Sequence, residues 1–86
     1  MEKTWKLYIL RCSDGSLYTG ITVDVEARFA QHSSGTGAKY TRGRGPLELV
    51  YVEQCRDHSH ALKREYQVKS LRKNDKLALI QSVKEK

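Results

Sequence analysis

Hydrophobic and polar positions alternate with a period of two where the chain begins. Residues 4–11, Thr-Trp-Lys-Leu-Tyr-Ile-Leu-Arg, put Trp5, Leu7 and Ile9 on one side, which predicts a strand. Ser13-Asp14-Gly15 follows as a turn, and Leu17-Tyr18-Thr19-Gly20-Ile21 reads as a second strand, so the two make a hairpin. The period then lengthens. Thr22 or Asp24 is placed to cap a helix running to about His32, with Val25 and Phe29 one turn apart and turned to the core. Residues 33–46 contain four glycines and Pro46 and read as a loop. In residues 47–53, Leu47, Leu49 and Tyr51 alternate with Val50 and Val52, predicting a third strand that is apolar on both faces and therefore central. Ser59 is placed to cap a second helix through about Leu71, and Asn74 a third, with Leu77, Ile80 and Val83 on one stripe. The expected order is β-β-α-β-α-α: an α/β (α+β) fold with a three-stranded antiparallel sheet flanked by helices. Residues 84–86 are expected to fray.

Composition narrows the class. The 86 residues predict one domain, with 38% hydrophobic and 30% charged residues spread along the chain rather than segregated. No apolar run approaches the roughly 20 residues of a membrane span, and the first residues contain no apolar signal core, so a secreted or membrane-spanning protein is not expected. Cys12 and Cys55 are too few for a disulfide framework or a four-ligand zinc site; both are expected to be reduced, in the cytoplasm. The net charge is +6 and is one-sided. Residues 1–38 balance, whereas residues 39–86 contain twelve basic against six acidic side chains. Such an excess suits a polyanion, most often nucleic acid, although it also describes a basic surface that does no more than stay solvated.

Familiar catalytic motifs are missing. The chain has no Gly-x-x-x-x-Gly-Lys loop, no Gly-x-Ser-x-Gly elbow and no Cys/His spacing suited to a metal. Four less usual features remain. Arg28 and His32, four apart, leave the same helix face; Arg offers a planar fork for phosphate oxygens and His moves protons near neutral pH, yet an idle exposed pair has the same spacing. Glu65 shares a helix face with Ala61 and Val68, so its carboxylate points toward the body of the protein and needs a cation or a metal; an ordinary ion pair with Lys69 one turn on meets that need as well. Tyr8 and Tyr18 are common strand residues whose plainest use is packing. A two-residue Asp-Gly turn would put them on opposite faces. A three-residue loop with Gly15 left-handed pairs Leu10 with Tyr18 and Tyr8 with Gly20, and brings both rings to one face, where Gly20 leaves room for a ring and a ligand. Finally, Lys39, Tyr40, Arg42 and Arg44 lie among glycines, a composition able to follow a phosphate backbone and stack a base, or simply to be a solvated loop.

Leu7-Tyr8-Ile9, then Leu17-Tyr18-Thr19-Gly20-Ile21-Thr22, then Arg28-Phe29-Ala30-Gln31-His32, then Glu65, together resemble the GIY-YIG nuclease superfamily, and within it the small stand-alone bacterial members. The resemblance covers about residues 4–80. Lys6-Leu7-Tyr8 stands where the family often has Gly-Ile-Tyr, with the tyrosine kept. The resemblance implies hydrolysis of phosphodiesters in nucleic acid, DNA foremost. Glu65 is then the single ligand of Mg²⁺ or Mn²⁺, and Tyr8 and Tyr18 position and deprotonate the attacking water. Arg28 stabilises charge on the phosphate, and His32 bonds a tyrosine or the phosphate. A tyrosine base needs nearby positive charge to lower its pKa, which Arg28, His32 and Lys69 are placed to supply. Lys39, Tyr40, Arg42, Arg44 and Lys69 are the expected nucleic-acid contacts; neither a membrane nor an obligate protein partner is expected. A nucleic-acid-binding module without catalysis is the alternative, and an adaptor for a protein partner a more distant one, for which no surplus of apolar residues is evident.

Overall fold

The structure is a computed structural model that describes residues 4–37 and 41–84. Its elements are β1 (Lys6–Arg11), β2 (Leu17–Thr22), α1 (Val25–Ser33), β3 (Glu48–Gln54), α2 (His58–Lys69) and α3 (Lys73–Lys84), the expected order. Residues 85 and 86, part of the segment expected to fray, lie outside the described residues, as does the side chain of Val83.

Turn chemistry sets the hairpin. The Gly15 N–H bonds to the Cys12 carbonyl at 2.9 Å and the Cys12 N–H to the Ser16 carbonyl at 2.8 Å, closing a three-residue loop. Gly15 has φ +85°, the left-handed conformation such a loop asks of its last residue. The resulting register pairs Tyr8 with Gly20 and Leu10 with Tyr18. Residues paired directly share a face, so both tyrosines lie on the same side of the sheet.

The strand order is β2-β1-β3. β1 is central and β3 is an edge, which corrects the reading of residues 47–53 as the central strand. The apolar run that needed cover on both faces is Leu7-Tyr8-Ile9-Leu10, all at most 2% exposed, whereas Leu49 and Val52 of β3 remain 38% and 41% exposed. The β1–β3 register shifts between Ile9 and Leu10: Ile9 faces Tyr51, Leu10 faces Leu49, and Val50 is the extra residue. That bulge turns two consecutive residues, Val50 and Tyr51, into the core, which is why the alternation along residues 47–53 looked apolar on both sides.

One sheet face carries the core: Leu7, Ile9, Val50 and Tyr51 pack with Ala61 and Val68 of α2 and Ile80 of α3, bordered by Trp5, Leu17, Ile21 and Leu79. Within α3, Ile80 is buried with Leu79 half-buried beside it, while Leu77 is 37% exposed, so the buried stripe is turned by about one residue from the expected one. α2 starts earlier than Ser59 would place it. Asp57 is the cap, its carboxylate accepting from the His60 N–H at 2.8 Å, while His60 Nδ1 accepts from the Arg56 N–H at 3.0 Å. α1 is capped by Asp24, which accepts from the Ala27 N–H at 3.0 Å. Val25 and Phe29 are only half-buried; the buried residue of α1 is His32. Cys12 and Cys55 are free and buried. No helix among the described residues is long and apolar enough to cross a membrane.

Candidate active site

The sheet face opposite the core carries Tyr8, Tyr18 and Gly20, and there His32 of α1 meets both tyrosines. The Tyr8 and Tyr18 ring centroids are 6.3 Å apart, and the His32 ring lies 5.8 Å from Tyr8 and 5.1 Å from Tyr18. The Tyr8 hydroxyl and His32 Nε2 share a hydrogen bond of 2.8 Å, and His32 Nδ1 shares one of 2.9 Å with Thr41 Oγ1. Tyr8, His32 and Thr41 are each 2% exposed. Two glycines make this packing possible. A Cβ on Gly20 would stand 2.6 Å from the Tyr8 hydroxyl and 2.7 Å from Cζ, and one on Gly37 would run into His32 Nδ1 and Cα.

Tyr8 is also where the charges of the site meet. Burial pushes its phenol up to about 12. The Arg28 guanidinium pulls the other way, as hydrogen-bond donor and as charge, and Tyr18 and Glu65 push further up. The expectation that neighbouring cations lower this pKa is therefore corrected: Arg28 does act on Tyr8, but desolvation of the ring outweighs it. His32 is held below the usual imidazole range, first by burial and then by the charge of Arg28. At neutral pH both groups of the Tyr8–His32 pair are uncharged. Arg28 also donates to Gln31 Oε1 at 2.8 Å, which holds its guanidinium along α1.

Glu65, on α2, has a side chain 21% exposed and pairs with Lys69 Nζ at 3.3 Å. The ion pair weighed against a metal role is thus formed, and the same carboxylate still bears on Tyr8. Among the described residues no three His, Cys, Asp or Glu side chains gather into a metal cage. One partly open carboxylate does not suit zinc. It does suit Mg²⁺, which is commonly held by one or two carboxylates and completes its shell with water and phosphate oxygens.

The basic loop is divided. Lys39 and Tyr40 lie outside the described residues. Arg42 is exposed. Arg44 is tied to the hairpin turn, its guanidinium to the Asp14 carboxylate and its carbonyl accepting from the Ser13 N–H at 2.8 Å, so it fastens the loop to the turn. Sequence reasoning missed Thr41 and Gly37. Both lie in a glycine-rich loop with no periodicity, and only the fold brings them against His32; the sole hint was a threonine and a glycine close after that histidine.

Comparison with known proteins bears on the family. Residues 4–78 match the GIY-YIG catalytic domain. The chain is 49% identical over 81 residues to a UPF0213 protein of Oceanobacillus iheyensis, covering 94% of each, and 53% identical over 75 residues to a UPF0213 protein of Staphylococcus epidermidis, covering 87% of this chain and 92% of that one. Among solved structures it is similar to the solution structure of a protein from E. faecalis (TM-score 0.68, 36% identity, 99% of this chain and 91% of that one). It is also similar to that of a UPF0213 protein from Bacillus halodurans (TM-score 0.59, 47% identity, 91% and 83%).

Proposed function

The chain belongs to the GIY-YIG family, and from that membership we propose that it is a divalent-metal-dependent nuclease that hydrolyses phosphodiester bonds in nucleic acid, DNA foremost. The observation that carries this reading is the hydrogen bond between the buried Tyr8 hydroxyl and His32 with Tyr18 beside them on one sheet face, under the electrostatic influence of Arg28 and Glu65.

Tyr8 orients the attacking water and takes its proton while passing its own to His32 Nε2. With its pKa near 12, Tyr8 has a phenolate population of only about one in 10⁵ at pH 7, so a proton acceptor behind it is required. His32 serves because burial keeps it neutral. The water oxygen forms a bond to phosphorus as the bond from phosphorus to the leaving oxygen breaks, and the leaving oxygen is protonated from solvent. Tyr18 holds the water from the same sheet face. Arg28 stabilises the charge that gathers on the phosphate oxygens. Glu65 is the residue that would hold Mg²⁺ or Mn²⁺, and the ion would add Lewis-acid stabilisation of the same charge. Exposed cations of the second half, Arg42, Lys63, Arg72 and Lys73, with Lys69 beside Glu65, supply the attraction for the phosphate backbone, and Tyr66, 77% exposed next to Glu65, offers a face for a base. The buried free cysteines support a cytoplasmic setting as part of the same reading.

Incubating the protein with single- and double-stranded DNA and Mn²⁺ or Mg²⁺ tests the proposal. Cleavage that a chelator stops, and that Tyr8→Phe abolishes, is expected. Tight binding with no cleavage under any of these conditions would replace it with the binding-module reading, which the formed Glu65–Lys69 pair would then serve as an ordinary structural contact.

A further inference from the structure

A neutral imidazole between two hydroxyls can hold its one proton on either side. With the proton on Nε2, His32 donates to Tyr8 and accepts from Thr41; with the proton on Nδ1, it donates to Thr41 and accepts from Tyr8. The two arrangements differ in what becomes of the Tyr8 proton. The nuclease reading has the Tyr8 proton pass to His32, which requires Nε2 to face Tyr8 without a proton of its own. With the proton on Nε2 that transfer is closed, because a protonated ring nitrogen has no lone pair left to accept. With the proton on Nδ1, the Tyr8 O–H goes to Nε2, and the Nδ1 proton finds its acceptor in Thr41 Oγ1 at 2.9 Å.

We propose that Thr41 is a positioning residue for the reaction: its Oγ1 accepts the His32 Nδ1 proton and so fixes Nε2 as the acceptor facing Tyr8. The inference rests on the nuclease reading for its consequence, though the tautomer itself is a property of the free protein. The site is built for that orientation. Thr41 is buried, it approaches from a segment nine residues on from His32, and Gly37 lies against the imidazole where no Cβ would fit, so the ring has one pose. A tautomer set by the bond on the far nitrogen is a general device of catalytic histidines.

Long-range ¹⁵N–¹H NMR correlations of the imidazoles, recorded without substrate above neutral pH, test this. His60 provides an opposite reference in the same spectrum, because its Nδ1 accepts from the Arg56 N–H and its proton therefore lies on Nε2. The expected result is an Nδ1-protonated His32 in the wild type and in Thr41→Ser, and a mixed or Nε2-protonated His32 in Thr41→Val. Cleavage should follow: kcat falls roughly tenfold to a hundredfold in Thr41→Val with KM little changed, and Thr41→Ser restores it. An Nε2-protonated His32 in the wild type overturns the proposal. So does a Thr41→Val protein that keeps both the wild-type tautomer and the wild-type kcat. If Thr41→Val does not fold, the wild-type and Thr41→Ser spectra decide, since loss of the Nδ1 tautomer in Thr41→Ser would also overturn it. Absence of cleavage in the wild type, with the tautomer as expected, contradicts the nuclease reading alone.

Discussion

At the scale of single residues, the site works by keeping polar groups out of water and pairing them. His32 illustrates the consequence for pH. Its folded pKa lies below the ordinary imidazole value, so the folded protein binds its proton less readily than the unfolded chain does. Stability from this residue is present above the ordinary value near 6.5 and is lost as pH falls through the interval down to the folded pKa. Titrating the His32 resonances should therefore give a midpoint below those of freely solvated imidazoles, and cleavage should fall away on the acid side in step with it; a midpoint at or above 6.5 would contradict the buried neutral ring. Gly20 gives a second test. Gly20→Ala sets a methyl 2.6 Å from the Tyr8 hydroxyl, so the ring must leave its bond to His32 or the strands must part. We expect a loss of about 1–3 kcal/mol in denaturant unfolding and loss of cleavage beyond what the lost stability explains. A fully active Gly20→Ala would mean that the Tyr8 position is not critical.

At the scale of elements, what could be read along the chain was what local chemistry decides. Ser13-Asp14-Gly15 fixed the hairpin register, and with it the shared face of Tyr8 and Tyr18, because a three-residue loop closed by a left-handed glycine allows only that pairing. Sheet order was not legible. Which strand is central depends on partners far along the chain, and the Val50 bulge disguised an edge strand as a buried one. Within the site, Arg28, His32 and Glu65 were visible through helical spacing, but the burial of His32 and the Thr41 bond were not, since they depend on which residues beyond α1 the fold sets against its last turn. The cap of α2 was misplaced by two residues because Asp57 and Ser59 are both good caps and only geometry chooses. Asp57→Ala should cost about 0.5–2 kcal/mol, while Ser59→Ala should cost almost nothing. Thermal or urea unfolding of the two variants separates them, and the reverse ranking would refute the observed cap. The helix it starts is anchored to the sheet edge by Arg64, whose Nε donates to Glu53 Oε2 at 2.7 Å while the Tyr51 hydroxyl donates to Oε1 at 2.6 Å. That anchor sets the position of Glu65, the next residue.

At the scale of the whole molecule, the proposed function has a small domain offer a polyanion a site on one sheet face and a basic surface on its second half. Arg42, Lys63, Arg72 and Lys73 are exposed and in no ion pair among the described residues. Each phosphate contact adds roughly 0.7–0.9 to the log–log dependence of affinity on salt, so replacing Lys63, Arg72 and Lys73 together with Ala should flatten that slope by roughly 2–3. An unchanged slope would move the binding surface to the segment around Arg42. The central claim is that this surface delivers a phosphodiester to a centre that depends on the carboxylate of Glu65. Glu65→Gln keeps size and hydrogen-bonding capacity and removes the charge a divalent ion requires. The most direct measurement compares wild type with Glu65→Gln, for both binding and cleavage of single- and double-stranded DNA in Mn²⁺ or Mg²⁺ with a chelator control. The account predicts cleavage by the wild type alone and equal or slightly tighter binding by the variant. Cleavage by both proteins would contradict it.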